Sequence, residues 1–273
     1  MKAALTFIVG LLSITLIGCA HIPSVDSRLT NADNLADKNG WHREHIKTSY
    51  FELVSYYNKN SSSAASLLTI YVEGDGLAWI TPHQASMNPT PINPVALKLS
   101  INDTNSHVAY LARPCQFTKD KQCNKHYWTN KRFAEEVVSS SSEAISVLKK
   151  VFGAKRLRLI GYSGGGAIAA LVAARRNDVS SLVTVAGNLD HEAWSAFHKT
   201  TPLRGSLNPY DYKYKLNPIK QIHFVGEQDK VIPPFLTQGF ADGSPSMQVI
   251  VRQKHGHTCC WVKSWAELQR YIR

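Results

Sequence analysis

The sequence predicts an α/β fold with a mostly parallel central sheet and helices on both of its faces. The chain of 273 residues is 44% hydrophobic, which suffices for one large core. Apolar runs with strand composition alternate along it with helical patterns, and this alternation is typical of parallel strands joined by helical crossovers. No repeat with a period of about 20–50 residues occurs, which argues against solenoids and propellers.

The predicted strands are rich in β-branched and aromatic residues and are bounded by turn residues. Several of them, such as residues 66–74, are almost continuously apolar, as expected of strands that are buried on both faces. The predicted strands cover residues 50–57, 66–74, 107–114, 156–163, 181–187, 221–229 and 246–253.

Predicted helices lie between these strands and after the last one. They cover residues 93–101, 132–153, 164–176 and 261–272. Within residues 132–153 the apolar side chains recur at helical spacing. Residues 188–218 break the alternation, with several aromatic residues, three prolines and no long period. Long excursions of this kind are usually functional, and we interpret this one as a cap-like insertion.

The first residues have the pattern of an export signal that ends at a cysteine. Lys2 precedes an apolar stretch, residues 3–17, which is shorter than the roughly 20 residues of a membrane-spanning helix. The stretch ends in LIGC, residues 16–19, which resembles a bacterial lipobox. This resemblance implies that a signal peptide over residues 1–18 is removed and that Cys19 is acylated. Because residue 20 is alanine and not aspartate, it further implies the periplasmic face of an outer membrane.

The residues after Cys19 are polar and rich in Asn, Asp and Ser. Such a composition favours a flexible tether, which we predict over residues 19–45. The globular domain is predicted over residues 46–273, and we expect it to be a monomer.

The formal net charge of +11 raises the question of a nucleic-acid partner. Lysines and arginines are scattered along the chain, and no helix-turn-helix, RNP motif or arginine-rich arm accompanies them. We therefore expect no nucleic-acid partner. Attraction to an anionic membrane surface is the milder consequence of the charge.

Four cysteines remain after Cys19, and an exported chain is expected to oxidise them. Cys115 and Cys123 are eight residues apart in a polar segment that suits a local bridge, whereas Cys259 and Cys260 are adjacent. The adjacent pair could form a vicinal bridge, stay reduced or bond to the first pair. Four cysteines permit three pairings, and the spacing selects none of them. No zinc-ligand spacing occurs, so we predict no metal site.

The sequence GYSGG, residues 161–165, lies between a predicted buried strand and a helix of small residues. It fits the motif G-x-S-x-G, in which glycines let the strand and the helix approach while the serine is exposed at the turn. Ser163 is therefore the candidate nucleophile, and it needs a base and a group that orients this base. In this motif, and in the order of its elements over roughly residues 50–273, the chain resembles the α/β-hydrolase superfamily.

The resemblance implies that an acid and then a histidine follow the serine along the chain. Asp229 lies at the end of a late strand in the pattern G-x-x-D-x-x-I-P, and His257 follows the last strand directly after a glycine. We predict Asp229 as the acid and His257 as the base. His255 remains an alternative base, and Glu227 and Asp190 remain alternative acids.

An oxyanion hole is also implied by the resemblance, with one backbone N–H from the residue after the nucleophile, Gly164. The second N–H should come from the loop after an early strand, here VEGDG at residues 72–76, so Asp75 or Gly76 is the predicted donor. The side chains of Glu73 and Asp75 would oppose a developing negative charge unless they are paired or turned away.

Aromatic residues near these positions predict the walls of a substrate pocket, namely Trp79, Tyr162, Trp194 and His198. The segments EGDGLAW, RPC and SLNP resemble those of uncharacterised bacterial lipoproteins of the same superfamily. These resemblances imply a lipid-anchored serine hydrolase that cleaves carboxylic esters of small molecules or lipids, through an acyl-enzyme and without a cofactor. Thioesters or peptides would use the same catalytic residues. The alternative is a catalytically inactive lipoprotein of this fold that binds or tethers within the envelope.

Overall fold

The computed structural model describes residues 22–58 and 65–272. The predicted signal peptide, residues 1–18, and the predicted acylation site, Cys19, lie outside these ranges. Among the helices of the described ranges, none combines the length and the apolar character that crossing a bilayer requires.

Strands and helices alternate through most of the described chain. The strands are β1 (His42–Lys47), β2 (Glu52–Tyr57), β3 (Leu67–Val72), β4 (Trp79–Thr81), β5 (Gln84–Ala85), β6 (Val108–Leu111), β7 (Arg156–Tyr162), β8 (Val179–Val185), β9 (Lys220–Gly226) and β10 (Met247–Arg252). The α-helices are α1 (Val25–Asp37), α2 (Val95–Ile101), α3 (Glu135–Val151), α4 (Gly164–Ala173), α5 (His191–Phe197), α6 (Lys213–Leu216), α7 (Pro234–Ala241) and α8 (Trp261–Leu268).

Eight of these strands form one sheet in the spatial order β1-β2-β6-β3-β7-β8-β9-β10. The six strands from β6 to β10 in this order pair in parallel. At the other edge β2 pairs antiparallel with β6, and β1 pairs antiparallel with β2. The predicted class, a mostly parallel sheet between helices, is confirmed. The strands β4 and β5 form a separate hairpin beside the carboxyl end of β3.

The two faces of the sheet are buried against different helices. In β7, Leu157 and Leu159 join the core that includes α3 and α4, while Ile160 and Tyr162 join the core that includes α1, α2 and α8. Because successive side chains of a strand point to opposite faces, β7 contributes apolar side chains to both layers. Each fully buried aliphatic side chain stabilises the fold by roughly 1.5–3 kcal/mol.

The prediction of a flexible tether over residues 19–45 is wrong for its larger part. Helix α1 begins after Ser24, whose hydroxyl caps it by accepting a hydrogen bond from the N–H of Ser27 at 3.1 Å. Ala32 and Ala36 are fully buried in the core of the sheet. The polar composition favoured a tether, although Leu29, Ala32, Leu35 and Ala36 recur at intervals of about three to four residues and pack against this core.

Both cysteine pairs are bridged locally in the structure. Cys115 is bonded to Cys123, with Cα atoms 5.5 Å apart, and Cys259 is bonded to Cys260, with Cα atoms 3.7 Å apart. The first bridge closes the loop after β6, and the second lies just before α8. The spacing alone left three pairings open, and this is the most local of them.

Candidate active site

Ser163 lies at the sharp turn between β7 and α4. Its φ of 52° falls in the left-handed region that L-amino acids rarely occupy, so the turn is strained. Glycines make the turn possible: a Cβ on Gly161 would overlap the carbonyl oxygen of Gly165, and one on Gly165 would overlap that of Glu73. The turn therefore presents the Ser163 hydroxyl at the carboxyl end of the parallel strands, where such sheets hold their functional groups.

The three predicted catalytic side chains meet at the ends of three strands. Ser163 Oγ lies 2.9 Å from Nε2 of His257, and Nδ1 of His257 lies 2.9 Å from Oδ2 of Asp229. The Asp229 side chain is fully buried, and its Oδ1 accepts hydrogen bonds from the N–H groups of Val231 and Ile232, both at 2.8 Å. These two bonds orient the carboxylate so that its other oxygen faces the imidazole. A continuous hydrogen-bonded chain thus joins the serine to a buried acid.

The loop that carries His257 is fixed through its backbone. The carbonyl oxygen of His257 accepts hydrogen bonds from the Tyr162 hydroxyl at 3.1 Å and from Nε1 of Trp261 at 2.9 Å. Trp261 is fully buried at the start of α8. The imidazole is therefore presented by a loop with anchors that do not involve its own side chain.

The rival residues left open by the sequence have other partners. His255 is buried, its Nε2 lies 2.8 Å from the Ser264 hydroxyl, and its ring packs on Trp261. Asp190 caps α5 by accepting hydrogen bonds from two backbone N–H groups. Glu227 is exposed to solvent. None of the three contacts Ser163 or His257 in the hydrogen bonds of the described residues.

The predicted oxyanion loop packs directly on the turn that holds Ser163. A Cβ on Gly74 would lie 3.3 Å from the Cβ of Ser163, and a Cβ on Gly164 would overlap the carboxylate of Asp75. Gly164 begins α4, and the first N–H groups of a helix have no acceptor within the helix. The backbone of this loop and the start of α4 therefore flank the serine from two sides. Gly76 has a φ of +64° and shapes the loop.

The carboxylate of Asp75 is held between two buried arginines. Its Oδ1 lies 3.0 Å from Arg113 and its Oδ2 lies 2.6 Å from Arg132. Burial by itself would raise the pKa of Asp75, but the charges of Arg132 and Arg113 outweigh it and lower this pKa. The paired carboxylate answers the concern that an acidic side chain here would oppose an oxyanion, because the cluster of three carries a net positive charge.

Sequence reasoning missed both arginines. Arg113 lies just after β6, which neighbours β3 in the sheet. Its position at the end of a predicted strand could have marked it as a candidate site residue. Arg132 lies in the loop before α3, where the sequence carries no signal. Its guanidinium reaches Asp75 from 57 residues along the chain.

Glu73 is buried, and its carboxyl group is hydrogen-bonded to backbone N–H groups. Its exposed fraction is 1%, and its Oε1 accepts hydrogen bonds from the N–H of Gly74 at 2.9 Å and from that of Ala96, in the first turn of α2, at 3.3 Å. Burial raises the pKa of Glu73 from its ordinary 4.5 to about 7. This acid therefore keeps its proton in the folded state at a pH where it ionises in the unfolded chain.

The raised pKa of Glu73 predicts a pH-dependent stability that glutamine removes. Because the folded state holds the proton more tightly, this stabilisation is present below pH 4.5 and is lost as the pH rises to about 7. The Glu73→Gln variant stays neutral, so its free energy of unfolding relative to the wild type should rise by about 3 kcal/mol over this interval. Urea denaturation at both ends of the interval measures the difference. A difference that is independent of pH would contradict the assignment, and Glu227→Gln is the control for an exposed carboxylate.

A cleft of about 560 Å³ opens above the catalytic side chains. Of the predicted pocket residues, Trp79, Tyr162 and Trp194 line it. His198 does not line it; its Nε2 lies 2.8 Å from the carbonyl oxygen of Val231, so its prediction as a pocket residue is corrected. The excursion over residues 188–218 thus reaches the cleft through Trp194. The cleft is lined by Glu73, Asp75, Gly76, Leu77, Ala78, Trp79, Pro91, Ile92, Asn93, Val95, Arg132, Tyr162, Ser163, Trp194, Val231, His257 and Thr258.

A larger groove, of about 830 Å³, lies between α1, β1 and the loop over residues 117–122. Its walls carry charged side chains of both signs and none of the predicted catalytic residues. Within the described ranges, no group of three or more His, Cys, Asp or Glu side chains could hold a metal ion.

Comparison with known proteins finds relatives of this fold. The model of a family described as serine hydrolase (FSH1) matches residues 87–266. Among solved structures, Est1E from Butyrivibrio proteoclasticus aligns with a TM-score of 0.60 at 13% identity, over 84% of this chain and 97% of its own. The esterase PF2001 from Pyrococcus furiosus aligns with a TM-score of 0.58 at 14% identity, over 87% and 93%.

A third solved structure, an alpha-beta serine hydrolase homologue from Coxiella burnetii, aligns with a TM-score of 0.56 at 16% identity, over 85% of this chain and 95% of its own. No curated protein sequence matches the chain. The range matched by the family model contains Ser163, Asp229 and His257.

Proposed function

The chain belongs to the serine hydrolase (FSH1) family, and from this premise we propose that it hydrolyses carboxylic esters through an acyl-enzyme formed on Ser163. The proposal rests on one observation above the others. The Ser163 hydroxyl, the His257 imidazole and the buried Asp229 carboxylate form hydrogen bonds of 2.9 Å in series. This arrangement activates a hydroxyl that is otherwise a weak nucleophile.

In the proposed acylation step, Ser163 Oγ attacks the ester carbonyl carbon while Nε2 of His257 accepts the hydroxyl proton. Asp229 accepts the hydrogen bond from Nδ1–H, which keeps Nε2 free to act as the base and stabilises the imidazolium. The imidazolium then gives its proton to the departing alcohol, and the acyl group remains on the serine. Water repeats the sequence in deacylation and releases the carboxylic acid.

The negative charge of the tetrahedral intermediate needs donors, which we assign to the N–H groups of Gly164 and Asp75. Each such donor contributes roughly 2.7–4 kcal/mol to lowering the barrier. The ion pairs of the Asp75 side chain with Arg113 and Arg132 support this assignment, because they restrain the loop and neutralise its carboxylate. In this role the two arginines position the loop and do not contact the reacting atoms.

Ester substrates suit the lining of the cleft better than charged ones. Trp79, Ile92 and Val231 offer apolar surface to an acyl or aryl group. The structurally similar PF2001 is an esterase. The same catalytic chemistry would also act on thioesters and peptides. We propose esters because the walls of the cleft are apolar and because a structurally similar protein is an esterase.

A fluorophosphonate probe tests the proposal directly, because it labels only an activated serine. We expect covalent labelling of the wild-type chain at Ser163 and none of the Ser163→Ala variant, with turnover of a short-chain nitrophenyl ester lost in the same variant. Ser139, half-buried on α3 with its hydroxyl hydrogen-bonded to Glu135, supplies the matched control: Ser139→Ala should label like the wild type. A wild-type chain that neither labels nor hydrolyses the ester would favour the inactive binding module.

We further propose that the protein is anchored through an acylated Cys19 at the periplasmic face of the outer membrane. The LIGC sequence at residues 16–19 supports acylation, and Ala20 supports the outer membrane. Multiple acyl chains, at about 0.8 kcal/mol per buried CH₂, make a firm anchor. The mass of the N-terminal peptide tests this proposal, and an unmodified Cys19 would refute it.

A further inference from the structure

Exposed apolar side chains line the cleft from two separate segments of the chain. Trp79 and Ile92, in the segment between β3 and α2, are 41% and 45% exposed, and Val231, in the segment between β9 and α7, is 43% exposed. Ile80 follows Trp79 in the β4–β5 hairpin, and Met87, two residues after β5, is 91% exposed.

Further apolar side chains are linked to Val231 by a series of contacts. The Val231 carbonyl oxygen accepts hydrogen bonds from Trp194 and His198. The His198 ring contacts Phe197, which in turn contacts Phe235 with ring centroids 5.1 Å apart. We refer to Trp79, Ile80, Met87, Ile92, Phe197, Val231 and Phe235 as the apolar rim; these are seven of the fifteen large hydrophobic side chains exposed in the described ranges.

The segments that carry most of the rim have no charged residue. Residues 76–97 contain no Asp, Glu, Lys or Arg, and neither do residues 231–241. The chain as a whole is 19% charged, so about four charges would be expected in the first segment alone. An exposed surface of this kind can enter an apolar environment without desolvating a charge.

Helix α1 is docked on the same uncharged segment. The guanidinium of Arg28, which is 5% exposed, donates hydrogen bonds to the carbonyl oxygens of Asn88 and Thr90. Cys19 precedes Ile22, the first described residue, by three positions, and three extended residues span about 10 Å. Acylation at Cys19 would therefore hold the end of the chain that lies beside the rim close to a bilayer.

We propose that the apolar rim docks onto a phospholipid bilayer, so that the cleft faces the membrane and takes its ester substrates from it. This inference rests on the proposed function, since it names the source of the substrate. A bilayer fits the observations because rim residues from both segments line the cleft, and a bilayer can cover them while supplying the cleft with ester substrates. A protein partner or a second copy seated on these residues would instead cover the cleft. The net charge of +11 adds attraction to anionic lipids, and tryptophan favours the bilayer interface.

The first test measures contact with the bilayer without catalysis. The full chain carrying Ser163→Ala is placed in vesicles of phosphatidylcholine and phosphatidylglycerol with brominated acyl chains, which quench nearby tryptophans. We expect quenching that falls by at least half when Ile80→Ser, Met87→Ser and Phe235→Ser are added. The matched control changes exposed apolar residues elsewhere, Val147→Ser, Val151→Ser and Tyr214→Ser, and should quench like the parent.

The second test compares two substrates in the wild-type background. The rim variant should hydrolyse a soluble short-chain ester at the parent rate and a long-chain ester embedded in the same vesicles about tenfold more slowly. Equal quenching of the rim and control variants would overturn the inference. It would also be overturned if sedimentation showed that the wild-type chain is a dimer and that the rim variant is a monomer. Rim-dependent quenching in a chain without any ester hydrolysis would instead refute the proposed function and leave the docking surface standing.

Discussion

Replacement of His257 by alanine should lower kcat toward a soluble ester by a factor on the order of 10⁶, as loss of the triad histidine does in subtilisin. The imidazole is the proposed base, and its Nε2 lies 2.9 Å from the Ser163 hydroxyl oxygen. The loop should keep its conformation, because Tyr162 and Trp261 hold it through the carbonyl oxygen of residue 257. Steady-state kinetics, together with circular dichroism of the variant, measure the effect separately from unfolding.

His255→Ala is the matched control for this experiment, two residues away. It removes the contacts of a buried imidazole with Ser264 and Trp261 and should lower the free energy of unfolding by about 1–3 kcal/mol. Its kcat at a temperature where it is folded should stay within about threefold of the wild type. The opposite pattern, with an inactive His255→Ala and an active His257→Ala, would transfer the role of base to His255.

Replacement of Asp229 by asparagine should lower kcat by about 10⁴ while the fold is retained. The asparagine oxygen can accept the hydrogen bonds from Val231 and Ile232 as Oδ1 does now. Its amide nitrogen then faces Nδ1 of His257 and donates to it, so the imidazole proton moves to Nε2. In that tautomer the base cannot accept the proton of Ser163. The measurement is kcat at neutral pH, with the fluorophosphonate labelling rate as a second readout.

Glu227→Gln is the matched control for Asp229→Asn, because it removes a carboxylate two residues before Asp229. It shows whether the loss of kcat requires the carboxylate at residue 229 or follows from the loss of any nearby negative charge. Glu227 is exposed, and its substitution should leave kcat within about twofold and the stability within about 0.5 kcal/mol. If Asp229→Asn retained a tenth or more of the wild-type kcat, the buried carboxylate would not be the group that orients His257.

Much of the fold could be predicted because its strands are buried on both faces. Residues 156–163 and 221–229 stand out as apolar runs between turn residues, and the structure places β7 and β9 there within a few residues. The edge of the sheet could not be predicted in the same way. Strand β1 is a polar edge strand, and in α1 polar residues outnumber the apolar ones that pack on the core, among them Leu29 and Ala32.

Some residues of the candidate site could likewise be predicted from the sequence, and others could not. The motif around Ser163 could be found because the strand, the glycines and the following helix are contiguous in the chain. The partners of Asp75 could not, because Arg113 and Arg132 come from two other segments and meet only in the folded protein. The apolar rim could be predicted only in part. The sequence shows that residues 76–97 carry no charge, but it does not show that the apolar side chains among them are exposed near the cleft.

The amino-acid sequence alone predicts the layered α/β architecture and the turn that carries Ser163, because both follow from local order: apolar runs, small residues and their spacing. The folded structure is needed to see that His257, and not His255, lies at hydrogen-bond distance from Ser163, and that Asp229, and not Glu227 or Asp190, lies at that distance from the His257 imidazole. The two histidines lie two residues apart in the chain, but one imidazole contacts the Ser264 hydroxyl and the other contacts the Ser163 hydroxyl. Which of the two histidines faces the serine depends on contacts between segments that are distant in the chain, and no local pattern encodes it.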